Sequence, residues 1–271
     1  MALVDIDSVE NRDPVFLDRL QRVVKKPLWR YFKARVNGLE RIPKGSCLYV
    51  GNHSSGLLTP DSYIFCGAAY DHQGLEGMPY SLAHEVVLKL PGFHQLLTKL
   101  GAIRASKENA AKVFASDGKI MVYPGGDVEN MRPWKDRNRI VFDNRRGYIR
   151  LALKHNVPLV PVISAGAHET FMVLHDMRSL AKTLKLDKIF RLSVAPLTLS
   201  MPWGLTLGVL PIYWPYPTRI LMEVLEPIHF ERGGAEAAAD EVYVKACAKE
   251  VESKMQRALT QLAAERERLK N

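Results

Sequence analysis

The stretch that decides the fold covers residues 46–61 and reads SCLYVGNHSSGLLTPD. Its first part, Ser46 to Val50, is short, apolar and rich in β-forming residues, which predicts a buried strand. Thr59 and Pro60 then predict the start of a helix, with the threonine as N-cap and the proline at the first helical position. A buried strand followed by a helix is typical of an α/β sheet.

Two side chains in this stretch are candidates for chemistry. His53 would lie just past the carboxyl end of the strand, and Asp61 would lie in the first turn of the helix, where the helix dipole favours a carboxylate. A histidine oriented by a carboxylate is a common general-base arrangement. The structural alternative is a histidine that only packs beside a glycine-containing turn.

The rest of the pattern predicts that helices alternate with strands. Strands are predicted near residues 34–39, 80–84, 119–123, 157–163 and 219–225, and helices near 60–70, 92–100, 106–115, 146–155 and 236–269. This alternation predicts an α/β fold with a mixed, mainly parallel central sheet flanked by helices. We expect residues 36–271 to form one domain, preceded by an amphipathic helical segment over residues 1–35.

The charge of the chain indicates an anionic partner. The 271 residues carry a formal net charge of +9, for which nucleic acid and an anionic membrane surface are the usual partners. Between Pro14 and Val36, basic residues interleave with apolar ones at helical spacing, which favours the lipid surface over nucleic acid. The alternative is an ordinary helix whose apolar face packs on the core. The first residues lack a signal-peptide pattern, so we expect a peripheral or monotopic protein on the cytoplasmic face of the membrane.

A second apolar segment carries no charge from Leu192 to Thr218. It is long enough to cross a bilayer, but its five prolines argue against a continuous spanning helix. A segment that dips into the membrane or lines an apolar groove fits this composition. A buried, proline-rich crossover in the core is the alternative.

Two further motifs are candidates for substrate contacts. Arg104 follows an apolar pair and is the kind of residue that holds an anionic head group, although most such arginines are simply exposed. Gly125 and Gly126 end a predicted strand, and paired glycines let backbone N–H groups approach a ligand or a developing oxyanion. A tight turn that needs glycine for its geometry alone explains the pair equally well.

Taken together, these motifs resemble those of the glycerolipid acyltransferase family, which includes glycerol-3-phosphate and lysophosphatidate acyltransferases. The matching blocks, in chain order, are Asn52-His53, Gly101 to Arg104, Tyr123-Pro124 with Gly126, and Val157 to Pro161. In two places the chain departs from the family. Seven residues separate His53 from Asp61 where the family has four, and Gly125 replaces a glutamate. The Pro-Gly-Gly form resembles the neutral-lipid branch, whose acceptors are mono- or diacylglycerols or other alcohols. Arg104 favours a phosphorylated acceptor instead, so both classes of acceptor stay open.

The resemblance implies transfer of an acyl group from a thioester to a lipid hydroxyl. His53 would act as general base and Asp61 would orient it. The residues expected to bind substrate are Asn52, Arg104, Gly125, Gly126 and Arg132. No metal is expected, and no cofactor beyond the acyl-CoA or acyl carrier protein that serves as co-substrate.

A basic cluster is the expected seat for that donor. Its cations suit the phosphates of acyl-CoA or the acidic face of a carrier protein, and they are Arg132, Lys135, Arg137, Arg139, Arg145 and Arg146. The other expected partners are the lipid acceptor and the anionic membrane surface, with no nucleic acid. Two alternatives stay open: a lipid hydrolase or thioesterase that uses water, and a non-catalytic lipid-binding protein.

Overall fold

The structure, a computed structural model, describes residues 5–83, 94–177, 194–210 and 212–269, with the single residues 88, 179 and 183. The helices are α1 (Pro14–Phe32), α2 (Pro60–Gln73), α3 (His94–Lys99), α4 (Lys107–Ala115), α5 (Gly126–Asn130), α6 (Gly147–His155), α7 (Gly234–Ala239) and α8 (Glu241–Arg268). The strands are β1 (Arg35–Asn37), β2 (Cys47–Gly51), β3 (Tyr80–Ala83), β4 (Ala102–Arg104), β5 (Lys119–Val122), β6 (Leu159–Ala165), β7 (Met172–His175), β8 (Leu197–Ser200), β9 (Gly204–Leu207) and β10 (Leu221–Val224). The starts of two predicted segments, residues 92–93 and 192–193, lie outside the described residues, as do residues 84 and 211.

A seven-stranded sheet forms the centre, in the order β1-β10-β6-β2-β5-β3-β4. The pair β10–β6 is antiparallel, and the other neighbouring pairs of this sheet are parallel. The predicted mixed, mainly parallel sheet is therefore confirmed. Because parallel strands end at the same edge, the chain segments after β2 and β5 lie beside each other at the carboxyl edge.

Helices cover both faces of this sheet. One apolar core lies between the sheet and helices α4, α6 and α8, and a second lies between the sheet and helices α1 and α2. Strands β2 and β6 are buried along their whole length, as expected for central strands covered on both faces. Ser106 caps α4 as predicted, because its hydroxyl accepts a hydrogen bond from the backbone of Asn109.

Two details of the helix prediction are wrong. Thr59 occupies the predicted N-cap position before Pro60, but its φ is 29° and its side chain makes no capping hydrogen bond to α2. The single helix predicted over residues 236–269 is broken at Asp240. The carboxylate of Asp240 accepts hydrogen bonds from the backbone N–H groups of Val242 and Tyr243, so it begins a new helix.

Helix α1 packs its apolar face inward. Phe32 is only 2% exposed, and Trp29 and Leu28 pack against the same core. These residues of α1 therefore pack as the alternative describes, whereas Val15, Val23 and Val24 of the same helix are exposed, and docking of α1 to a membrane stays a prediction. The exposed side of α1 carries the basic residues Arg19, Arg22, Lys26 and Arg30. Among the described residues, no helix has both the length and the apolar character needed to span a membrane.

The uncharged segment forms most of a second sheet. Strands β7, β8 and β9 pair antiparallel in that order, and Val173, Val194 and Tyr213 form a small core beneath them. Many large apolar side chains of this region face outward instead: Met201, Trp203, Leu205, Leu207, Leu210, Ile212 and Trp214. A buried crossover therefore does not describe it, since only part of the segment reaches a core.

Candidate active site

His53 is fixed through its backbone on both sides. Its N–H donates to Oε2 of Glu129 over 3.1 Å, and its carbonyl accepts from the Arg132 guanidinium over 3.0 Å. The imidazole is half-buried, with its centroid 4.9 Å from that of the Tyr123 ring. Strands β2 and β5 therefore bring together the two segments predicted to carry the chemistry, at the shared edge of the sheet.

The Nδ1 atom of His53 has two competing neighbours. The carbonyl oxygen of Ser54 and the side-chain nitrogen of Asn130 each lie 3.0 Å from it. A neutral imidazole has one N–H, so Nδ1 either donates to the carbonyl or accepts from the amide. When Nδ1–H donates to Ser54, the lone pair lies on Nε2, which is the tautomer that a general base requires.

The His53 environment also keeps the ring uncharged. Burial lowers the pKa of His53 from its usual value to about 4, and the positive charge of Arg132 acts in the same direction. The hydrogen bond to Ser54 and the negative charge of Asp127 oppose this shift only in part. His53 is therefore neutral and able to accept a proton at neutral pH.

Glu129 is a site residue that the sequence analysis missed. Its carboxylate is fully buried and accepts from the backbone N–H groups of both His53 (3.1 Å) and Val141 (3.2 Å). Burial raises the pKa of this carboxyl to about 7, and Arg132 opposes the rise. The sequence feature that could have identified Glu129 is its position four residues after Gly125, because residues about one helical turn apart lie on the same side of a helix. A Cβ added to Gly125 would overlap Glu129, so the glycine makes room for it.

Asn130 was missed as well, and it clamps the loop after His53. Its Oδ1 accepts from the N–H of Gly56 over 3.1 Å, and its Nδ2 donates to the carbonyl of Gly56 over 2.8 Å. Gly56 has a φ of +80°, and an added Cβ would overlap the Tyr213 hydroxyl, so the position requires glycine. The loop is thus bound to α5 and lies against Tyr213 of the small core beneath the second sheet.

Asp61 lies where the sequence predicted, in the first turn of α2, and is only 1% exposed. No hydrogen bond within the described part of the chain joins it to His53, because Nδ1 faces Ser54 and Asn130. Burial raises the pKa of the Asp61 carboxyl to about 6, and the neighbouring Ser54 hydroxyl opposes this. Asp61 is therefore a buried carboxyl of the same loop region, without the predicted direct bond to the imidazole.

Two predicted substrate ligands are instead bound to the protein backbone. The Asn52 side chain exchanges two hydrogen bonds with the N–H and C=O of Ser164, at 2.8 and 2.9 Å, which ties β2 to β6. Arg132 is 1% exposed. Its guanidinium donates to four carbonyls, those of His53, Glu129, Asp136 and Arg137. Both side chains position the loop, and neither is free to bind substrate.

Arg104 lies away from His53. Strand β4 is the edge strand, three positions from β2 in the sheet order, or roughly 14 Å at the usual strand spacing. Its Nε donates to the Asp7 carboxylate over 2.8 Å, which holds the N-terminal segment against the edge. The structure therefore does not bring Arg104 to the imidazole.

The paired glycines serve the geometry of the turn after β5. Gly126 has a φ of +52°, and its N–H donates to the carbonyl of Tyr123 over 3.2 Å. An added Cβ there would overlap the Arg145 guanidinium. The N–H of Gly126 is thus already used within the turn.

The predicted donor cluster is largely paired internally. Arg137 bonds Glu169 at 3.1 Å, Arg139 bonds Asp136 at 3.1 Å, and Arg145 bonds Asp127 at 2.8 Å. Arg132 donates to backbone carbonyls and Arg146 to the side-chain oxygen of Asn144, so five of the six cations have partners within the protein. Most of the cluster is therefore engaged within the protein, and its role as the seat of the donor stays a prediction.

Comparison with known proteins identifies the family. The family model described as diacylglycerol acyltransferase matches residues 11–243, most of the chain. The chain belongs to this family. The resemblance to a glycerolipid acyltransferase family that was drawn from the sequence motifs is confirmed.

Individual relatives are more distant. An uncharacterized protein of Mycobacterium tuberculosis is 28% identical over 80% of this chain and 58% of its own length. The "DGAT1/2-independent enzyme synthesizing storage lipids" of Bos taurus is 31% identical over 53% of this chain and 42% of its own. The 2-acylglycerol O-acyltransferase 1 of Mus musculus is 25% identical over 55% and 48%. This chain thus matches only about half the length of these curated relatives.

A solved structure confirms the fold. The 1-acyl-sn-glycerophosphate (LPA) acyltransferase PlsC of Thermotoga maritima superimposes with a TM-score of 0.52, over 92% of this chain and 83% of that one. Sequence identity between the two is 17%. At that identity the match establishes shared architecture, and the substrates of PlsC remain a property of PlsC.

Proposed function

We propose that this protein is an O-acyltransferase that moves a fatty acyl group from an acyl thioester, acyl-CoA or acyl carrier protein, to the hydroxyl of a lipid alcohol. The observation that carries the proposal is the state of His53: a neutral imidazole, held through its backbone, with an Nδ1 neighbour that can leave Nε2 free. Membership of an acyltransferase family supports the same reaction.

The proposed reaction needs no protein nucleophile. Nε2 of His53 takes the proton of the acceptor hydroxyl while the oxygen attacks the thioester carbonyl. The tetrahedral intermediate then expels the thiolate as the C–S bond breaks, and the thiolate receives the proton from the imidazolium. The carbonyl of Ser54 accepts the hydrogen bond from Nδ1–H throughout, which is the role of the carboxylate in a catalytic triad. The negative charge of Asp127 favours the imidazolium.

The acceptor that fits best is an uncharged lipid alcohol. The two arginines expected to bind a phosphate, Arg104 and Arg132, are engaged with Asp7 and with backbone carbonyls. Two relatives carry names that refer to a 2-acylglycerol and to storage lipids, which agrees with this choice. An assay of thiol release against mono- and diacylglycerol, glycerol 3-phosphate and lysophosphatidate tests it, and the neutral acceptors are expected to react faster.

The same assay separates acyl transfer from hydrolysis. Thiol release should rise strongly when an acceptor is added, and the acyl group should appear in the lipid product. Equal release with and without acceptor would identify a thioesterase. The absence of both thiol release and acyl product under any condition would favour the third alternative, a non-catalytic lipid-binding protein.

The lowered pKa of His53 predicts that acyl transfer activity persists to an unusually low pH. A base with an ordinary pKa near 6.5 loses activity below that pH, but the lowered value of about 4 keeps His53 neutral further into the acid range. We expect kcat/KM for acyl transfer to stay within about twofold between pH 7 and pH 5.5. A pH–rate profile measures this, and an acid limb centred near pH 6.5 would contradict it.

We also propose that the second sheet brings the enzyme to the membrane. Soluble proteins rarely expose contiguous apolar patches of this kind. Ile212 is 75% exposed and Trp203 51%. The hydroxyl of Tyr213 accepts from the N–H groups of Leu57 and Leu58, at 2.8 and 3.0 Å, and both leucines are exposed. The apolar surface is thus bound directly to the loop of His53. The basic outer side of α1 adds attraction to anionic lipid.

Membrane binding should weaken when this surface is made polar. We expect the double variant Trp203→Ser, Ile212→Ser to bind vesicles of equal parts phosphatidylcholine and phosphatidylglycerol at least about tenfold less tightly, since two large apolar side chains are lost. Flotation measures the bound fraction. The matched control is Val242→Ser, which changes an exposed apolar residue of α8. Equal flotation of both variants and the unaltered protein would contradict docking through the sheet.

A further inference from the structure

The loop after His53 is held at its far end by Tyr213. The Tyr213 hydroxyl accepts hydrogen bonds from the backbone N–H groups of Leu57 (2.8 Å) and Leu58 (3.0 Å). The Tyr213 ring is only 6% exposed and packs on Phe171, with 4.6 Å between the ring centroids. A hydroxyl on a buried, packed ring is a fixed acceptor, because the ring cannot move without losing its contacts. Tyr213 therefore fixes two consecutive peptide groups of a loop whose leucine side chains are exposed.

The backbone is strained at this end of the loop. Thr59, which follows Leu58, has a φ of 29°, and residues other than glycine rarely adopt a positive φ. Such a conformation persists only where the surrounding structure holds it. The carbonyl of Thr59 accepts from the N–H of Ser62 at the start of α2, and the two bonds to Tyr213 come directly before Thr59. The strained residue is therefore held on both sides.

Asn130 links the held loop to the imidazole. Its side chain exchanges two hydrogen bonds with the N–H and C=O of Gly56, at 3.1 and 2.8 Å, and its nitrogen lies 3.0 Å from Nδ1 of His53. Asn130 and Tyr213 thus bind three consecutive residues, 56 to 58. This path of the loop decides whether Nδ1 donates to the carbonyl of Ser54 or accepts from the Asn130 amide.

We propose that Tyr213 is a positioning residue for His53. Its hydroxyl holds the loop in the path that keeps the Ser54 carbonyl 3.0 Å from Nδ1. That carbonyl then accepts from Nδ1–H, and the lone pair lies on Nε2, where a general base needs it. In the part of the chain that the structure describes, Tyr213 bonds to the loop and not to the imidazole, so it acts through the loop. The inference rests on the proposed function and names a further residue on which the reaction depends.

The first test is Tyr213→Phe, which keeps the buried ring and removes the acceptor of both N–H groups. We expect kcat to fall about tenfold or more, because a small displacement of a catalytic group is costly. The KM values for donor and acceptor should stay within about twofold, since Tyr213 contacts neither. Initial rates of thiol release, measured with monoacylglycerol and vesicles of equal parts phosphatidylcholine and phosphatidylglycerol, give these constants.

The matched control is Tyr243→Phe. The Tyr243 hydroxyl also accepts from a backbone N–H, that of Arg232, over 3.0 Å, but it belongs to α8 and makes no bond to the His53 loop among the described contacts. Its variant should keep the kcat of the unaltered protein. An unchanged kcat in Tyr213→Phe, or an equal loss in both variants, would overturn the proposal.

A spectroscopic signature separates positioning from a purely structural role. Nitrogen NMR shifts of the histidine rings report which nitrogen carries the proton, and His53→Ala assigns the signals of His53. We expect the Nδ1–H form to predominate in the unaltered protein. The Nε2–H form should increase in Tyr213→Phe, because the Asn130 amide can then donate to Nδ1. An unchanged tautomer with a lowered unfolding midpoint would show that Tyr213 only stabilises the fold.

Hydrogen exchange tests the loop without any substitution. In the unaltered protein the backbone amides of Leu57 and Leu58 should exchange slowly with solvent, although both side chains are exposed. Rapid exchange of both amides would overturn the proposal even if Tyr213→Phe failed to fold.

Vesicle flotation separates positioning from membrane docking. Tyr213→Phe leaves the exposed side chains of Ile212 and Trp214 in place, so its flotation should equal that of the unaltered protein. A parallel loss of flotation and kcat would assign the effect to docking and overturn the positioning role.

The positioning role and the reaction can fail separately. A tautomer that depends on Tyr213, in a protein that transfers no acyl group, would refute the proposed function and leave Tyr213 as the residue that sets the state of His53. Acyl transfer with the same kcat and the same tautomer in Tyr213→Phe would do the reverse.

Discussion

Replacing His53 by alanine is expected to lower kcat/KM for acyl transfer by about 10²- to 10⁴-fold, the usual contribution of a positioned base. In the proposed mechanism the acceptor proton goes to Nε2, and the described part of the site offers no second histidine in that position. His168, the other buried histidine nearby, has its Nε2 2.9 Å from the carbonyl of Arg132. The assay is the initial rate of thiol release over a range of acceptor concentrations, which gives kcat/KM.

This loss should not come from unfolding. The bonds that hold the loop join Glu129 and Arg132 to the backbone of residue 53, and alanine keeps them both. The unfolding midpoint of His53→Ala should therefore stay close to that of the unaltered protein. Asp61→Asn is the comparison variant, with a smaller expected loss because Asp61 makes no hydrogen bond to the imidazole among the described contacts. Full activity in His53→Ala would refute base catalysis by this residue.

Much of the fold can be predicted from local pattern. Strand β2 has five consecutive buried residues, and a short apolar run before a turn is the typical signal of a central strand. The apolar run before Tyr123-Pro124-Gly125 predicts strand β5 equally clearly, and Ser106 predicts the start of α4. These signals depend on neighbours in sequence, and they hold wherever the tertiary structure agrees with them.

The site could be predicted only in part, because its supporting bonds join distant residues. Glu129, Asn130 and Arg132 follow His53 by 76 to 79 residues, and no spacing rule links them to it. The sequence indicates that His53 and Asp61 lie in one loop, but the path of residues 54–58 decides what Nδ1 faces. Asn130 fixes that path through Gly56, and the carbonyl of Ser54 takes the place expected for the carboxylate.

The exposed sheet shows a further limit of sequence patterns. An uncharged run such as residues 194–210 is compatible with a core segment and with a surface that meets lipid, since both are apolar. Burial distinguishes them: Thr198 is buried, whereas Leu205 and Leu207 are exposed. In α1, burial likewise separates residues of similar character: Leu17 and Phe32 are buried, whereas Val15 and Val23 are exposed.

Replacing Arg132 by methionine is expected to lower the free energy of unfolding by about 3 kcal/mol or more. Methionine fills part of the space but donates no hydrogen bonds, so the carbonyls of His53 and Arg137 lose their guanidinium donor. The carbonyls of Glu129 and Asp136 keep only the backbone N–H groups of residues 132 and 139. It also removes the positive charge that opposes the raised pKa of the Glu129 carboxyl. Urea unfolding followed by circular dichroism measures the loss.

The control for this prediction is Arg104→Met, which breaks an ion pair with Asp7 that is partly open to solvent. A surface pair of this kind is usually worth about 1 kcal/mol or less. If Arg132 were instead a phosphate ligand of the acceptor, its methionine variant would keep normal stability and raise the acceptor KM. A loss of stability together with an unchanged acceptor KM in folded Arg132→Met would show that Arg132 positions His53. A residue that only holds the loop affects kcat, because it acts through the imidazole.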